Sequence, residues 1–108
     1  MRSRSDFARL RAGSSFRGKF LSVKVARLSE AESPPSVAYA ISKSVGSAPV
    51  RNRARRRIRS IVRNHPEAFR GGFGYLVQLR PGVDRIRFVD LGDELLGLLG
   101  QSSAADTL

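Results

Sequence analysis

The chain has 108 residues, 41% of them hydrophobic, with 20 Lys and Arg against 9 Asp and Glu for a net charge of +11. That length suits one domain with one small core, and the apolar content excludes a disordered tail. The absence of cysteine excludes disulfides, thiolate metal sites and a cysteine nucleophile, and the charge surplus points to a polyanionic partner.

Ser5 is positioned to cap a short helix over residues 6–12, stopped by Gly13. Phe7 and Leu10, three apart, share its buried face. A Gly/Ser/Arg turn leads to FLSVKVARL, residues 20–28. There Leu21, Val23 and Val25 alternate with Ser22, Lys24 and Ala26, a strand pattern. The acidic, proline-containing SEAESPPS, residues 29–36, reads as a mobile connection. In SVAYAISK, Val37, Tyr39 and Ile41 take one face and the small Ala38, Ala40 and Ser42 the other, predicting a second strand antiparallel to the first. A basic helix starts near Ser47, its N-cap. Pro49 is acceptable in the first turn, where an N–H would have no partner. Pro66 weakens the helix before it, and Gly71 and Gly72 end the region. FGYLVQLR, residues 73–80, is a third strand, and PGVDR turns the chain. Asp90 caps a last helix reaching about Gly100, with Leu91, Leu95, Leu98, Leu96 and Leu99 facing the core and Gly92 and Gly97 as weak points. Residues 101–108 form a frayed tail, so the ordered core covers about residues 5–100 of a single domain, residues 1–108.

The stretch VRNRARRRIRSIVR, residues 50–63, holds seven arginines and no acid, and no Asp or Glu occurs from residue 33 to residue 66. At about 100° per residue, Ala54, Ile58, Ile61 and Val62 form one apolar stripe. Asn52, Arg55, Arg56, Arg59 and Arg63 cluster to one side and behind it, with Arg53 and Arg57 on the other flank. The segment therefore packs by one face and presents a rigid rack of cations over most of the rest. A solvated face would mix signs to gain i, i+4 pairs. Charges of a single sign cost stability until a polyanion offsets them. The stripe is too narrow and too poor in aromatics for membrane binding.

Seventeen of the basic residues are Arg. Its planar fork grips phosphate through two bonds and stacks on bases, which tilts the choice toward nucleic acid. No window approaches the roughly 18 apolar residues of a membrane span, and MRSRSDFARLRAG lacks the apolar stretch of a secretory signal, so the cytoplasm is the expected compartment. No catalytic constellation emerges. His65 is the single histidine and reads as a surface loop residue before Pro66. Asp90 and Asp93 suit capping and the helix dipole rather than a two-metal cluster. Gly71-Gly72-Phe73-Gly74 lacks the Lys and Ser/Thr of a phosphate loop.

The run ISKSVGSAPVRNRARRRIR, residues 41–59, resembles the signature of the bacterial ribonuclease P protein subunit. That signature is a strand, Ser-Lys-Lys-x-Gly-x-Ala-Val, one residue, then Arg-Asn-Arg and a basic helix. Ser42, Lys43, Gly46, Ala48, Arg51, Asn52, Arg53, Arg55, Arg56 and Arg59 match it. Asp6-Phe7 followed by Gly13 is similar to the family's opening helix, and the Leu-rich last helix fits, so the resemblance covers roughly residues 5–100. Ser44 stands where the family usually has a second Lys, Pro49 where it has Val, and Arg11 where it is often aromatic.

The resemblance implies an α+β fold, a single-domain α/β sandwich. Its central mixed sheet would have four strands with about three helices, in the order αβββαβα. The basic helix would be a left-handed βαβ crossover, against the usual hand. The extra strand pairing is expected to involve the ends of the two early segments, around residues 43–46. In function, the resemblance implies a protein cofactor of ribonuclease P, an endoribonuclease whose RNA subunit holds Mg2+ and performs the cleavage. The products would be the mature tRNA 5′ end and a released leader. Lys43, Arg51, Asn52, Arg53, Arg55, Arg56 and Arg59 would dock on the catalytic RNA. A cleft between the first helix and the sheet would bring Phe7, Arg11 and Lys24 to the 5′ leader of precursor tRNA, since aromatic stacking plus cations is the usual hold on single strands. Phe7 also reads as a core residue, and Arg9 and Arg17 as solvated. No catalytic residue, metal or cofactor is expected on the protein alone, and no membrane or DNA partner. The alternative is a structural RNA-binding protein of ribosomal type, which would share the charge but not the Ser-Lys-x-x-Gly-x-Ala-x-x-Arg-Asn-Arg arrangement. A DNA-binding helix-turn-helix would need a second short helix before the basic one.

Overall fold

The computed structural model describes residues 4–106, apart from the side chains of Phe7 and of residues 104–106. In chain order the elements are α1 (Arg4–Arg11), β1 (Ser14–Arg17), β2 (Leu21–Arg27), β3 (Ser36–Ile41), α2 (Ala48–Asn64), β4 (Phe73–Leu79) and α3 (Phe88–Asp106), with short 3₁₀ turns at Lys43–Val45 and Pro66–Ala68. The strands make one mixed sheet in the order β1-β2-β4-β3. β2 is antiparallel to β1 and β4, and β3 is parallel to β4. This is the expected αβββαβα arrangement. A parallel pair needs a connection of a dozen or more residues, and the 17-residue α2 occupies it.

β4 holds the centre because it can be covered on both faces: every residue from Phe73 to Leu79 except Gln78 is buried. β3, half-buried along its whole length, is an edge. On one face Leu21, Val23 and Val25 lie opposite Leu79, Val77 and Tyr75. Ala54, Ile58 and Ile61 of α2 and Leu91, Leu95, Leu98 and Leu99 of α3 complete that core. Tyr75 meets Phe69 edge-on with centroids 5.0 Å apart, and its hydroxyl accepts the Arg70 backbone N–H at 2.9 Å, so the buried phenol is satisfied. Glu94 ties α3 to the sheet, accepting the Phe20 and Leu21 N–H groups at 2.7 Å each. α1 lies on the opposite face, where its fully buried Leu10 approaches Gly74. A Cβ at Gly74 would come within 2.3 Å of Leu28 Cδ1, so glycine lets this layer close.

Several boundaries differ from the sequence expectations. Ser5 lies inside α1 and does not cap it. The Gly/Ser/Arg turn contains the fourth strand, β1, registered on β2 from Ser14↔Val25 to Arg17↔Ser22. Residues 43–46, expected to supply that pairing, instead hold a 3₁₀ turn. β3 runs opposite to β2 but does not pair with it, because β4 lies between them. The 29–36 connection is tied down at its base. Leu28 and Ser29 donate N–H bonds to the Gly72 carbonyl at 2.8 and 3.0 Å, and Gly72 donates to Ser33 O at 2.8 Å. Gly72 has φ +81°, and a Cβ there would lie 2.6 Å from Glu30 O, so both conformation and space demand glycine. Asp90 is in the first turn of α3, bonded to Arg87 Nε at 2.8 Å, rather than at the cap. α3 continues to Asp106, and Ser102, placed in the expected frayed tail, is buried. Residues 107 and 108 of that tail lie outside the described residues.

Candidate nucleic-acid interface

The anchoring of α2 dictates which of its side chains reach solvent. Ser47 has the extended backbone of an N-cap and Pro49 sits in the first turn, though the Ser47 hydroxyl makes no capping bond. Ala54 and Ile58 are fully buried and Ile61 is 2% exposed, while Val62 at the stripe's margin is half-buried. The opposite side presents Asn52, Arg53, Arg55, Arg56 and Arg59, which with Pro49 line an open groove of about 620 Å³. Asn52 Oδ1 accepts from Arg55 Nη1 at 3.1 Å, orienting that guanidinium along the groove. Arg51 is half-buried, and its Nε is shielded from solvent without a hydrogen-bond acceptor among the described residues. Lys43 is exposed in the 3₁₀ turn that leads into α2. Ser44, in the same turn, places its hydroxyl 2.5 Å from that of Ser42. Among the described residues no α2 arginine forms an ion pair with an acid.

Two residues of this surface behave in ways the helical projection does not reveal. Arg57 is not part of the exposed rack. Its Nη1 donates to the carbonyls of Val83 at 3.1 Å and Asp84 at 3.0 Å, and its Nη2 to that of Ile86, so it clamps the turn after β4 onto α2. Tyr39 on β3 carries no site signal in the sequence, yet the Arg59 guanidinium sits 5.9 Å from its ring centroid. Burial pushes the Tyr39 phenol above its ordinary pKa despite the opposing pull of Arg59 and Arg63, so it remains neutral. Alternation along β3 could have placed Tyr39 beneath α2, but only the pairing of β3 with β4 shows which residue it meets.

The second expected surface lies on the other side of the sheet. Lys24 stands on the α1-facing side of β2, and its Nζ donates to the Arg11 carbonyl at 3.5 Å, so the structure brings these two residues together. Phe7 is one turn earlier on α1, but its side chain lies outside the described residues. The neighbouring sheet face carries Leu76 between Lys24 and Ala38, with Ala26 and Ala40 nearby and a 3.0 Å bond from the Ser22 hydroxyl to Gln78 Oε1, while Gly74 is covered by Leu28 and Leu10.

His65 is a surface residue 3.3 Å from Glu67. Among the described residues no three His, Asp or Glu side chains gather as a metal site, and no helix is long and apolar enough to cross a membrane.

Comparison with known proteins is consistent across sequence and fold. The family model described as Ribonuclease P matches residues 1–103. The chain is 40% identical over 84 residues to the ribonuclease P protein component of Thermus aquaticus, covering 67% of this chain and 49% of that protein. It is 31% identical over 102 residues to the component from Acidothermus cellulolyticus, covering 94% and 85%. The chain spans about half the length of the Thermus relatives it matches, 49% and 55%. The Staphylococcus aureus RNase P protein superposes with a TM-score of 0.77 at 20% identity, covering 94% of this chain and 93% of that one, a likeness of fold.

Proposed function

The chain belongs to the ribonuclease P protein family, and on that premise we propose that it is the protein subunit of a ribonucleoprotein endoribonuclease that removes the 5′ leader from precursor tRNA. The observation that carries the proposal is the arginine ridge of α2, held rigid by a buried stripe and free of acids along its length. Such a ridge costs stability in the free protein and is offset when phosphates neutralise it. Lys43, Arg51, Asn52, Arg53, Arg55, Arg56 and Arg59 dock on the catalytic RNA. Arg11 and Lys24, with Phe7, hold the single-stranded leader on the opposite face of the sheet. By placing cations between two polyanions, the protein lowers the repulsion that separates enzyme RNA from substrate. We assign phosphodiester cleavage, with its magnesium ions, to the RNA, and the setting to the cytoplasm. The direct test is cleavage of precursor tRNA with the catalytic RNA present or omitted. Cleavage is expected only when the RNA is present, and turnover by the protein alone would overturn the proposal.

The two surfaces are separable by mutation. Arg53 and Arg56 are exposed, so replacing both with Ala should leave the fold intact by circular dichroism while weakening assembly with the catalytic RNA, because charge-assisted phosphate contacts are lost. Lys24→Ala should leave assembly nearly normal and weaken capture of leader-bearing precursor, with little change for mature tRNA. Equal loss for both substrates would mean that Lys24 only contributes to the general positive field.

A further inference from the structure

The groove along α2 ends at Arg59. Beyond it lie Tyr39 of β3 and Arg63 of α2, and neither has a ligand among the contacts proposed above. Arg59 and Arg63 are four apart, so their side chains are neighbours on the helix surface, and both are exposed. Among the described residues neither guanidinium donates a hydrogen bond or pairs with an acid. Tyr39 pairs with Val77 from the edge of the sheet, which places it beneath α2 with an open side toward solvent. Its ring centroid lies 5.9 Å from the Arg59 guanidinium, near the outer limit of about 6 Å for attraction between a cation and an aromatic face. The ring thus seats the cation without occupying its N–H donors. The phenol is half-buried, yet its oxygen is open to solvent and has no hydrogen-bond partner among the described residues. Burial raises its pKa against the pull of Arg59 and Arg63, so at neutral pH it keeps a proton that it can donate.

We infer that Arg59, Arg63 and the Tyr39 hydroxyl form a phosphate site that extends the docking surface for the catalytic RNA beyond the α2 groove and over the β3 edge. The inference rests on the docking role proposed above. Two guanidiniums supply the charge. The phenol O–H adds a third donor on a ring that the sheet holds in place. Continuity on the molecule supports this occupant: Arg59 both lines the groove and covers Tyr39, so an RNA backbone that follows the groove reaches the phenol next. The precursor's leader is the less suited source of phosphate, because Lys24 and the Arg11 carbonyl it bonds lie on the opposite face of the sheet. A phenol also differs from a further arginine in what it contributes. It carries no charge and releases no counterion, so it strengthens docking without steepening the salt dependence.

The test is binding of the catalytic RNA to the full chain across a salt series. Tyr39→Phe keeps the ring and its packing and removes only the hydroxyl. It should lose about tenfold in affinity, the lower end of what a hydrogen bond to a charged group contributes. Its log–log salt slope should match that of the wild type, and its fold should be intact by circular dichroism. Arg63→Ala should lose affinity and lower the slope by about one, as one phosphate contact goes, and Arg63→Lys should restore the slope. If Tyr39→Phe binds as the wild type does, or Arg63→Ala leaves the slope unchanged, the site is overturned, while the α2 groove stands as long as replacing Arg53 and Arg56 weakens binding. If that double variant is also without effect, the docking role itself fails and this inference falls with it. Normal assembly by Tyr39→Phe with weakened capture of precursor tRNA would assign the phosphate to the substrate and overturn the site as well.

Discussion

Raising monovalent salt from about 50 to about 200 mM should weaken binding of this protein to its catalytic RNA on the order of a thousandfold, with duplex DNA as the guide and roughly six phosphates neutralised. Each arginine that meets a phosphate releases condensed counterions, and the entropy of that release falls as bulk salt rises. The exposed α2 residues Arg53, Arg55, Arg56 and Arg59, with half-buried Arg51 and exposed Lys43, supply about that number of contacts. Arg57 is omitted because backbone carbonyls already hold its guanidinium. Filter binding or fluorescence anisotropy across a salt series reads the slope directly. Replacing Arg53 and Arg56 together should lower the log–log slope by about two, roughly one per lost phosphate contact. A nearly flat response in the wild type would remove α2 as the docking surface.

The second large effect is on stability. Ile58 is fully buried among the residues of α2, α3 and the sheet, and Ile58→Ala should cost about 2–5 kcal/mol through lost transfer energy and the cavity left behind. Against the roughly 5–15 kcal/mol that holds a domain together, this is a large share. At about 4–8 °C per kcal/mol for a domain near this size, the midpoint of thermal unfolding should fall by on the order of 10 °C or more. Circular dichroism checks it. A shift within the scatter of repeat measurements would mean that another face of α2 is buried and that the exposed set of arginines is wrongly assigned. RNA binding by the variant should weaken as well, because the ridge keeps its geometry only while the stripe beneath it is seated.

By itself the sequence determined what local periodicity and composition encode. The spacing of Ala54, Ile58 and Ile61 specifies a helix with one buried face, and that constraint leaves the intervening arginines outside. Strict alternation in Leu21, Val23 and Val25 marks β2, and the signature from Ser42 to Arg59 carried the family and the order of elements. Only the tertiary structure decided what depends on partners distant in the chain. β1 has just one half-buried apolar residue, Phe16, and exists because β2 supplies its hydrogen bonds. That β4 lies between β2 and β3 is a matter of which strand can be covered on both faces, which no single segment reveals. The 29–36 connection is held by Gly72, some 40 residues away, through backbone groups that have no side-chain signature. Arg57 differs from its neighbours only in that three carbonyls of the turn after β4 converge on it. Hydrophobic period is a property of a segment and can be read along the chain, whereas strand pairing and the capture of a guanidinium by carbonyls depend on where a second segment comes to rest.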